Sequence, residues 1–245
     1  MDNMVNSVLC IVQSRLTSTR LPNKVLMPLG QSNKTIVEHI CERMAMSPCI
    51  NKTIFAIPDT AQNDALYDFL TQHSIPVYRG SEDDVLARFY HCLQENPADI
   101  IVRATCDNPL VDWQHIQPMI QILTEQQCDY VSGKGFSLGT CVEVCSATAL
   151  KKAYKEATTS AEHEHVMPYL YLHPDLFKLG VYENENKSHR SFRLTVDCPE
   201  DYELMNCIYN ALHKGKPIPT EEAVRFLEAH PEIAGINQNI QQKTI

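Results

Sequence analysis

Apolar runs of strand length and amphipathic stretches of helix length alternate from Ser7 to Gln126, and this alternation restricts the fold more than any single motif. Ser7-Val8-Leu9-Cys10-Ile11-Val12 reads as a first strand. Thr35 is placed to cap a helix whose apolar residues Ile36, Val37, Ile40, Cys41 and Met44 recur at helical spacing, with Pro48 ending it. Thr53-Ile54-Phe55-Ala56-Ile57 is a β-branched second strand, and Asp64 to Gln72 a helix burying Leu66, Phe69 and Leu70. A third strand is expected at Ile75–Tyr78, a helix through Phe89, Cys92 and Leu93, a fourth strand at Asp99–Thr105 and a helix from His115 to Gln126. Strands joined through helices predict a parallel sheet with right-handed crossovers. At 245 residues and 44% hydrophobic, the chain can bury one large α/β core, with room for a small insertion.

The first strand runs into Gln13-Ser14-Arg15-Leu16-Thr17-Ser18-Thr19-Arg20-Leu21-Pro22-Asn23-Lys24. No acidic residue lies between Asp2 and Glu38, yet Arg15, Arg20, Lys24 and Lys34 do, in a chain of formal net charge -9. Guanidinium forks, a lysine and several hydroxyls after a first strand make a phosphate cradle, at the place where open α/β sheets take ligands. Taken singly, these cations read as solvated loop charges; together they point to a phosphate-rich ligand. Neither glycine fingerprint of phosphate loops is present before Gly30.

An acidic chain with one basic loop excludes a general nucleic-acid or anionic-membrane binder, which needs a broad basic face. No leader pattern and no run of membrane-spanning length is seen, so a cytoplasmic protein is expected. The ten cysteines are scattered without a C-x-x-C pair, which favours reduced, mostly buried thiols over disulfides or a structural zinc site.

Two aspartates end strand-like runs just before a proline. Asp107 follows Asp99–Thr105 and precedes Pro109; Asp197 follows Arg193-Leu194-Thr195-Val196 and precedes Pro199. Each could be an oxygen ligand for Mg²⁺ against a triphosphate, or Asp107 with Asn108 could simply make a side-chain turn. Pro199-Glu200-Asp201 also reads as a helix start. Ser81 and Asp84 have the spacing of a helix cap with its reciprocal acid. Gly133-Lys134-Gly135-Phe136-Ser137-Leu138-Gly139-Thr140 looks like a mobile loop over a substrate, with Lys134 facing either an acidic ligand or solvent. Glu162-His163-Glu164-His165 offers a metal at first sight, but His163 and His165 are two apart and face different ways on a helix. A helix N-terminus begun at Ser160 is the better reading, outside any metal site.

With its first loop, the chain resembles the cytidylyltransferases that activate sugar acids, whose loop has the form A-R-x-x-S-x-R-L-P-x-K, and most closely their spore-coat polysaccharide branch. The 3-deoxy-manno-octulosonate and acylneuraminate enzymes are more distant relatives. The resemblance extends through Arg79-Gly80-Ser81-Glu82-Asp83-Asp84-Val85-Leu86, a D-x-P at Asp107, Val142-Glu143-Val144, an E-H-V-x-P-Y run and V-D-x-P-E-D at Asp197. Thr17 and Asn23 stand where the branch commonly has glycine; asparagine visits the left-handed region readily, β-branched threonine does not.

The resemblance implies a Rossmann-like nucleotidyltransferase fold, an α/β domain over 1–230 with a substrate or dimerisation insertion near 133–192 and a tail at 231–245. It implies transfer of CMP from CTP to an acidic sugar or phosphorylated metabolite, with pyrophosphate released, in surface glycan synthesis. Arg15, Lys24 and Arg20 would hold the triphosphate, while Val12, Gln13, Ser14, Gly80 and Ser81 line the nucleotide pocket. Lys134 and Glu143 would meet the acceptor, and Asp107 and Asp197 would bind Mg²⁺. The expected partners are CTP, the acceptor and a second copy of the chain, with no nucleic acid or membrane. A glycosyltransferase of related fold or a non-catalytic nucleotide binder are the competing readings; the first usually carries a D-x-D pair, and none closes a strand here.

Overall fold

The computed structural model describes residues 6–185 and 192–242. Seven strands, β1 (Val8–Gln13), β2 (Lys52–Pro58), β3 (Val77–Gly80), β4 (Ile100–Thr105), β5 (Tyr130–Lys134), β6 (Glu143–Ser146) and β7 (Leu179–Glu183), form one sheet in the order β3-β2-β1-β4-β6-β5-β7. All pairings are parallel except those of β6, which runs against both β4 and β5. Helices α1 (Ile36–Ala45), α2 (Asp64–Gln72), α3 (Val85–Glu95) and α4 (Ile116–Glu125) connect the first five strands. Then come α5 (Ala147–Glu156), α6 (Ser160–His165), α7 (Pro168–Leu172), α8 (Pro199–Leu212), α9 (Thr220–Ala229) and α10 (Pro231–Ala234).

The parallel strands are apolar on both sides because both faces are covered. On β1, Val8, Cys10 and Val12 join the core under α1, α2, α4, α8 and α9, while Leu9 and Ile11 join the core under α3, α5 and α7. Right-handed crossovers dictate that division. Going β1 to β2 to β3 puts α1 and α2 on one face; the return from β3 to β4, on the other side of β1, puts α3 on the opposite face. The strand order therefore reverses between β1 and β4, leaving a crevice at their carboxyl ends. Gln13 and Thr105, the last residues of the two strands, are register partners there.

Three local expectations are corrected. The cap of α3 is Asp84, whose carboxylate accepts from Ala87 N at 2.7 Å, and Ser81 Oγ instead accepts from Asp84 N at 3.1 Å in the preceding turn. Thr159, not Ser160, caps α6, with Glu162 closing the reciprocal bond. The stretch before Asp197 is no strand; it makes a single bridge, Leu138 with Arg193. The glycine-rich loop is tied to that stretch: Leu138 N donates to Phe192 O at 3.1 Å, and Leu194 N donates to Leu138 O at 2.7 Å. Gly139 sits at φ +89°, where a Cβ would fall 2.7 Å from Thr195 N, so that approach requires glycine. Residues 186–191 of the expected insertion lie outside the described residues. All ten cysteines are free.

Candidate active site

A cleft of about 850 Å³ opens at the switch point between β1 and β4. One wall is the loop after β1, the other the tips of α3 and α6, and the floor is Thr105, Cys106 and Asp107.

The loop is bent back on itself by local chemistry. Asn23 N donates to Leu16 O at 3.1 Å, and Asn23 takes the left-handed conformation (φ 58°) that starts the short turn Lys24–Leu26. Asparagine thus does what glycine does elsewhere, whereas Thr17 is absent from the left-handed residues and uses its hydroxyl to donate to Glu82 at 3.2 Å. Buried Asn63 accepts from Leu16 N at 2.9 Å, a support with no signature in the sequence.

Bending delivers Lys24, only 7% exposed, between two carboxylates far away in sequence. Its Nζ lies 3.2 Å from Asp107 Oδ2 and 3.0 Å from Asp197 Oδ1. Asp107 is held by Thr105 Oγ1, which donates at 2.6 Å, and its backbone carbonyl accepts from Val196 N at 2.7 Å, which sets Asp197 beside it. Asp197 also meets Arg193 at 2.8 Å and Arg20 at 3.2 Å. Fully buried Asp201 accepts from Arg193 Nε and Nη2, from Asp197 N and from Asn237, at 2.8 to 3.0 Å. Asn237, with Gln242, which accepts from Arg193 Nη1 at 2.6 Å, brings the C-terminal segment to the site.

Burial works against the Lys24 ammonium, but the two carboxylates outweigh it and raise its pKa above the ordinary lysine value. The Asp107 carboxyl is likewise held below its ordinary value, with Lys24 and the Thr105 hydroxyl overcoming desolvation. The Cys106 thiol, on the cleft floor, is pushed up to about 12 by burial and is no nucleophile.

The opposite wall carries opposite charge. Glu82, Asp83 and Asp84 lead into α3, and Glu164 projects from α6. His163 Nδ1 lies 2.8 Å from Asp84, which raises the imidazole pKa. Arg88, 3% exposed, donates to Ser81 O at 2.6 Å, and burial together with Arg15 lowers its pKa to about 10. After α6 the chain turns on Val166 at φ 71°, ψ -54°, with Met167 N donating to His165 O at 2.8 Å. This strained three-residue turn in a β-branched residue holds His163, Glu164 and His165 at the rim. Their motif was legible in the sequence, but its contact with α3 was not.

Arg15, Arg20, Lys24, Gln13, Ser14, Asp107 and Asp197 are thus gathered as their sequence positions predict. Five others do not line the cleft. Val12 is fully buried in the core. Gly80 and Ser81 lie behind the α3 tip, and a Cβ at Gly80 would meet Arg88 Cγ at 3.0 Å, so the glycine makes room for that arginine. Exposed Lys134 pairs with Glu183 at 2.9 Å. Glu143 lies on the sheet, bonded to Arg103 and to the Tyr130 hydroxyl, and reaches the cleft only through Arg103, which donates to Gln13 at 3.1 Å.

The lining holds six carboxylates (Glu82, Asp83, Asp84, Asp107, Glu164, Asp197) against four permanent cations (Arg15, Arg20, Lys24, Arg88). An anionic ligand enters such a cleft favourably only with a cation. Asp107 and Asp197 converge on the Lys24 ammonium, with Arg20 and Arg193 also on Asp197, and as hard oxygen donors the two carboxylates fit Mg²⁺.

A mostly parallel α/β sheet with clustered cations and paired carboxylates at its switch point is a frame suited to handling nucleotides, and comparison with known proteins gives the class. A family model for cytidylyltransferases matches residues 9–230. The spore coat polysaccharide biosynthesis protein SpsF of Bacillus subtilis is 33% identical over 236 residues, covering 94% of this chain and 98% of its own. An uncharacterized protein of Methanocaldococcus jannaschii is 36% identical over 241 residues, 97% of each chain. Among solved structures, a cytidylyltransferase from Leptospira borgpetersenii superimposes with TM-score 0.87 at 25% identity, over 98% of this chain and 100% of that one. The chain belongs to the cytidylyltransferase family and is a CTP-using nucleotidyltransferase. Among the described residues no helix is long and apolar enough to cross a membrane.

Proposed function

We propose that this enzyme transfers CMP from CTP to an oxygen of an acidic sugar or phosphorylated metabolite, with Mg²⁺, in surface polysaccharide synthesis. An acceptor oxygen bonds to the α-phosphorus, the bond from that phosphorus to the bridging oxygen breaks, and pyrophosphate leaves. Arg15, unpaired with any carboxylate among the described residues, and Lys24 bind the triphosphate and stabilise charge on the departing pyrophosphate; Arg20 supports them. Asp107 and Asp197 would hold Mg²⁺, which when bound would supply charge neutralisation for the transfer. On the opposite wall, Arg88 and His163 are the basic groups among the cleft's lining residues that could meet an acidic acceptor. The observation that carries this reading is the convergence of Asp107 and Asp197 on Lys24 at the switch point. Free thiols suit the reducing cytoplasm. The exposed apolar Leu179 and Val181 on edge strand β7 suit pairing with a second copy.

The test is pyrophosphate release from each common nucleoside triphosphate with Mg²⁺ and a panel of sugar acids and phosphorylated metabolites. Release that requires CTP, one acceptor and Asp107, lost in Asp107→Ala, is expected. Tight nucleotide binding without release across the panel, or release indifferent to Asp107→Ala, would overturn the assignment.

A further inference from the structure

Away from the cleft, α1 and the end of α8 bring together His39, Glu42 and His213, with one ligand-capable atom of each within 4.8 Å of the others. His39 and Glu42 are three apart on α1 and so share a face. His213 caps the C-terminus of α8, and its ring lies 5.1 Å from that of His39. Since α8 spans about 20 Å, this cluster is well separated from Asp197 at its other end.

Two polar atoms here are buried without a hydrogen-bond partner, Glu42 Oε2 and His213 Nε2. Orphaned buried polar atoms are costly, and two of them in one cluster call for a common partner. Each can act as a Lewis base toward the same centre. We propose that His39, Glu42 and His213 bind a transition-metal ion of the zinc class that clamps α1 to α8.

Two imidazoles and one carboxylate are borderline donors, suited to Zn²⁺ or Co²⁺ and poorly to Mg²⁺, and they leave a fourth position for water. Burial, with His213 and Lys34, pushes the His39 pKa down to about 4, and burial with Lys34 lowers that of His213, so both rings are neutral ligands at pH 7. The Ser32 hydroxyl lies 3.5 Å from His39 Nε2, a polar neighbour of the ring. Tetrahedral ligands at about 2 Å from zinc lie about 3.3 Å apart, so the side chains close by up to about 1.5 Å on binding. Lys34 now neutralises Glu42 Oε1 and is the competitor; its side chain is 36% exposed and can turn out to solvent.

The experiment titrates metal-free protein with Co²⁺, read by its visible ligand-field bands, and with Zn²⁺, read by calorimetry and thermal unfolding, in excess Mg²⁺. One equivalent with nitrogen-ligand bands and a raised melting temperature is expected. His213→Gln and Glu42→Gln should each weaken it at least about tenfold, and Lys34→Ala should strengthen it. Both glutamine variants alter part-exposed side chains, and either one alone decides if the other does not fold. No binding by the wild type, or equal binding by the wild type and a folded glutamine variant, as scattered thiols would give, overturns the site.

Discussion

The two walls of the cleft are built by opposite means. The basic wall is one continuous loop, two of whose cations are tied to carboxylates more than eighty residues away: Lys24 to Asp107 and Asp197, and Arg20 to Asp197. The acidic wall joins two helix tips, α3 and α6, through one pair, Asp84 with His163. The first wall is cross-linked through buried Lys24, the second joined by a part-exposed ion pair. A preorganised charge cluster suits transition-state stabilisation, and a lightly joined rim suits reception of an acceptor.

The largest effect should follow from Lys24→Met, which removes the charge that both aspartates share. A fall in kcat for pyrophosphate release of about 10²–10³-fold is expected, with the circular dichroism spectrum retained. A loss below tenfold would show that the knot is structural. Asp201→Ala strips Arg193 and Asn237 of a fully buried partner, and the unfolding free energy in urea should drop by about 3 kcal/mol. Little change would mean that Arg193 is held by Asp197 alone.

On the acidic wall, His163→Ala should raise the KM for the acceptor by about tenfold, worth about 1.4 kcal/mol, and leave kcat and the KM for CTP nearly unchanged. Equal effects on both substrates would erase the division of labour between the walls. The smallest effect is on titration. Asp84 raises the pKa of His163, so the stabilisation from this contact is complete below the ordinary histidine value of about 6.5 and fades as pH rises through the raised one. In Asp84→Asn, the His163 resonance followed by NMR should titrate at lower pH than in the wild type; an unchanged or higher midpoint would remove Asp84 as the cause.

Much of the scaffold was legible because its signals are local. The β-branched runs and the helical spacing of Leu66 and Leu70 depend only on neighbours a turn or a pleat away, and α2 falls where its periodicity puts it. Errors came where two local signals competed or a partner lay elsewhere. Ser81 and Asp84 can each cap a helix; Asp84 does so with one carboxylate oxygen and meets His163, a remote residue, with the other. Glu143 alternates properly against its valines, but no pattern near it names Arg103 and Tyr130 as its partners. Asn63, Asn237 and Val166 carried no sign of their work.

By itself the sequence determined the alternating α/β order, the basic loop, the aspartates before prolines and the family, because each is written in residues close together along the chain. Only the tertiary structure decided that Asp107 and Asp197 share one lysine, that the rim is acidic, and that His39, Glu42 and His213 meet. Those facts depend on the reversal of strand order between β1 and β4 and on the docking of α8 against α1, and distance in space between remote residues leaves no local period to read.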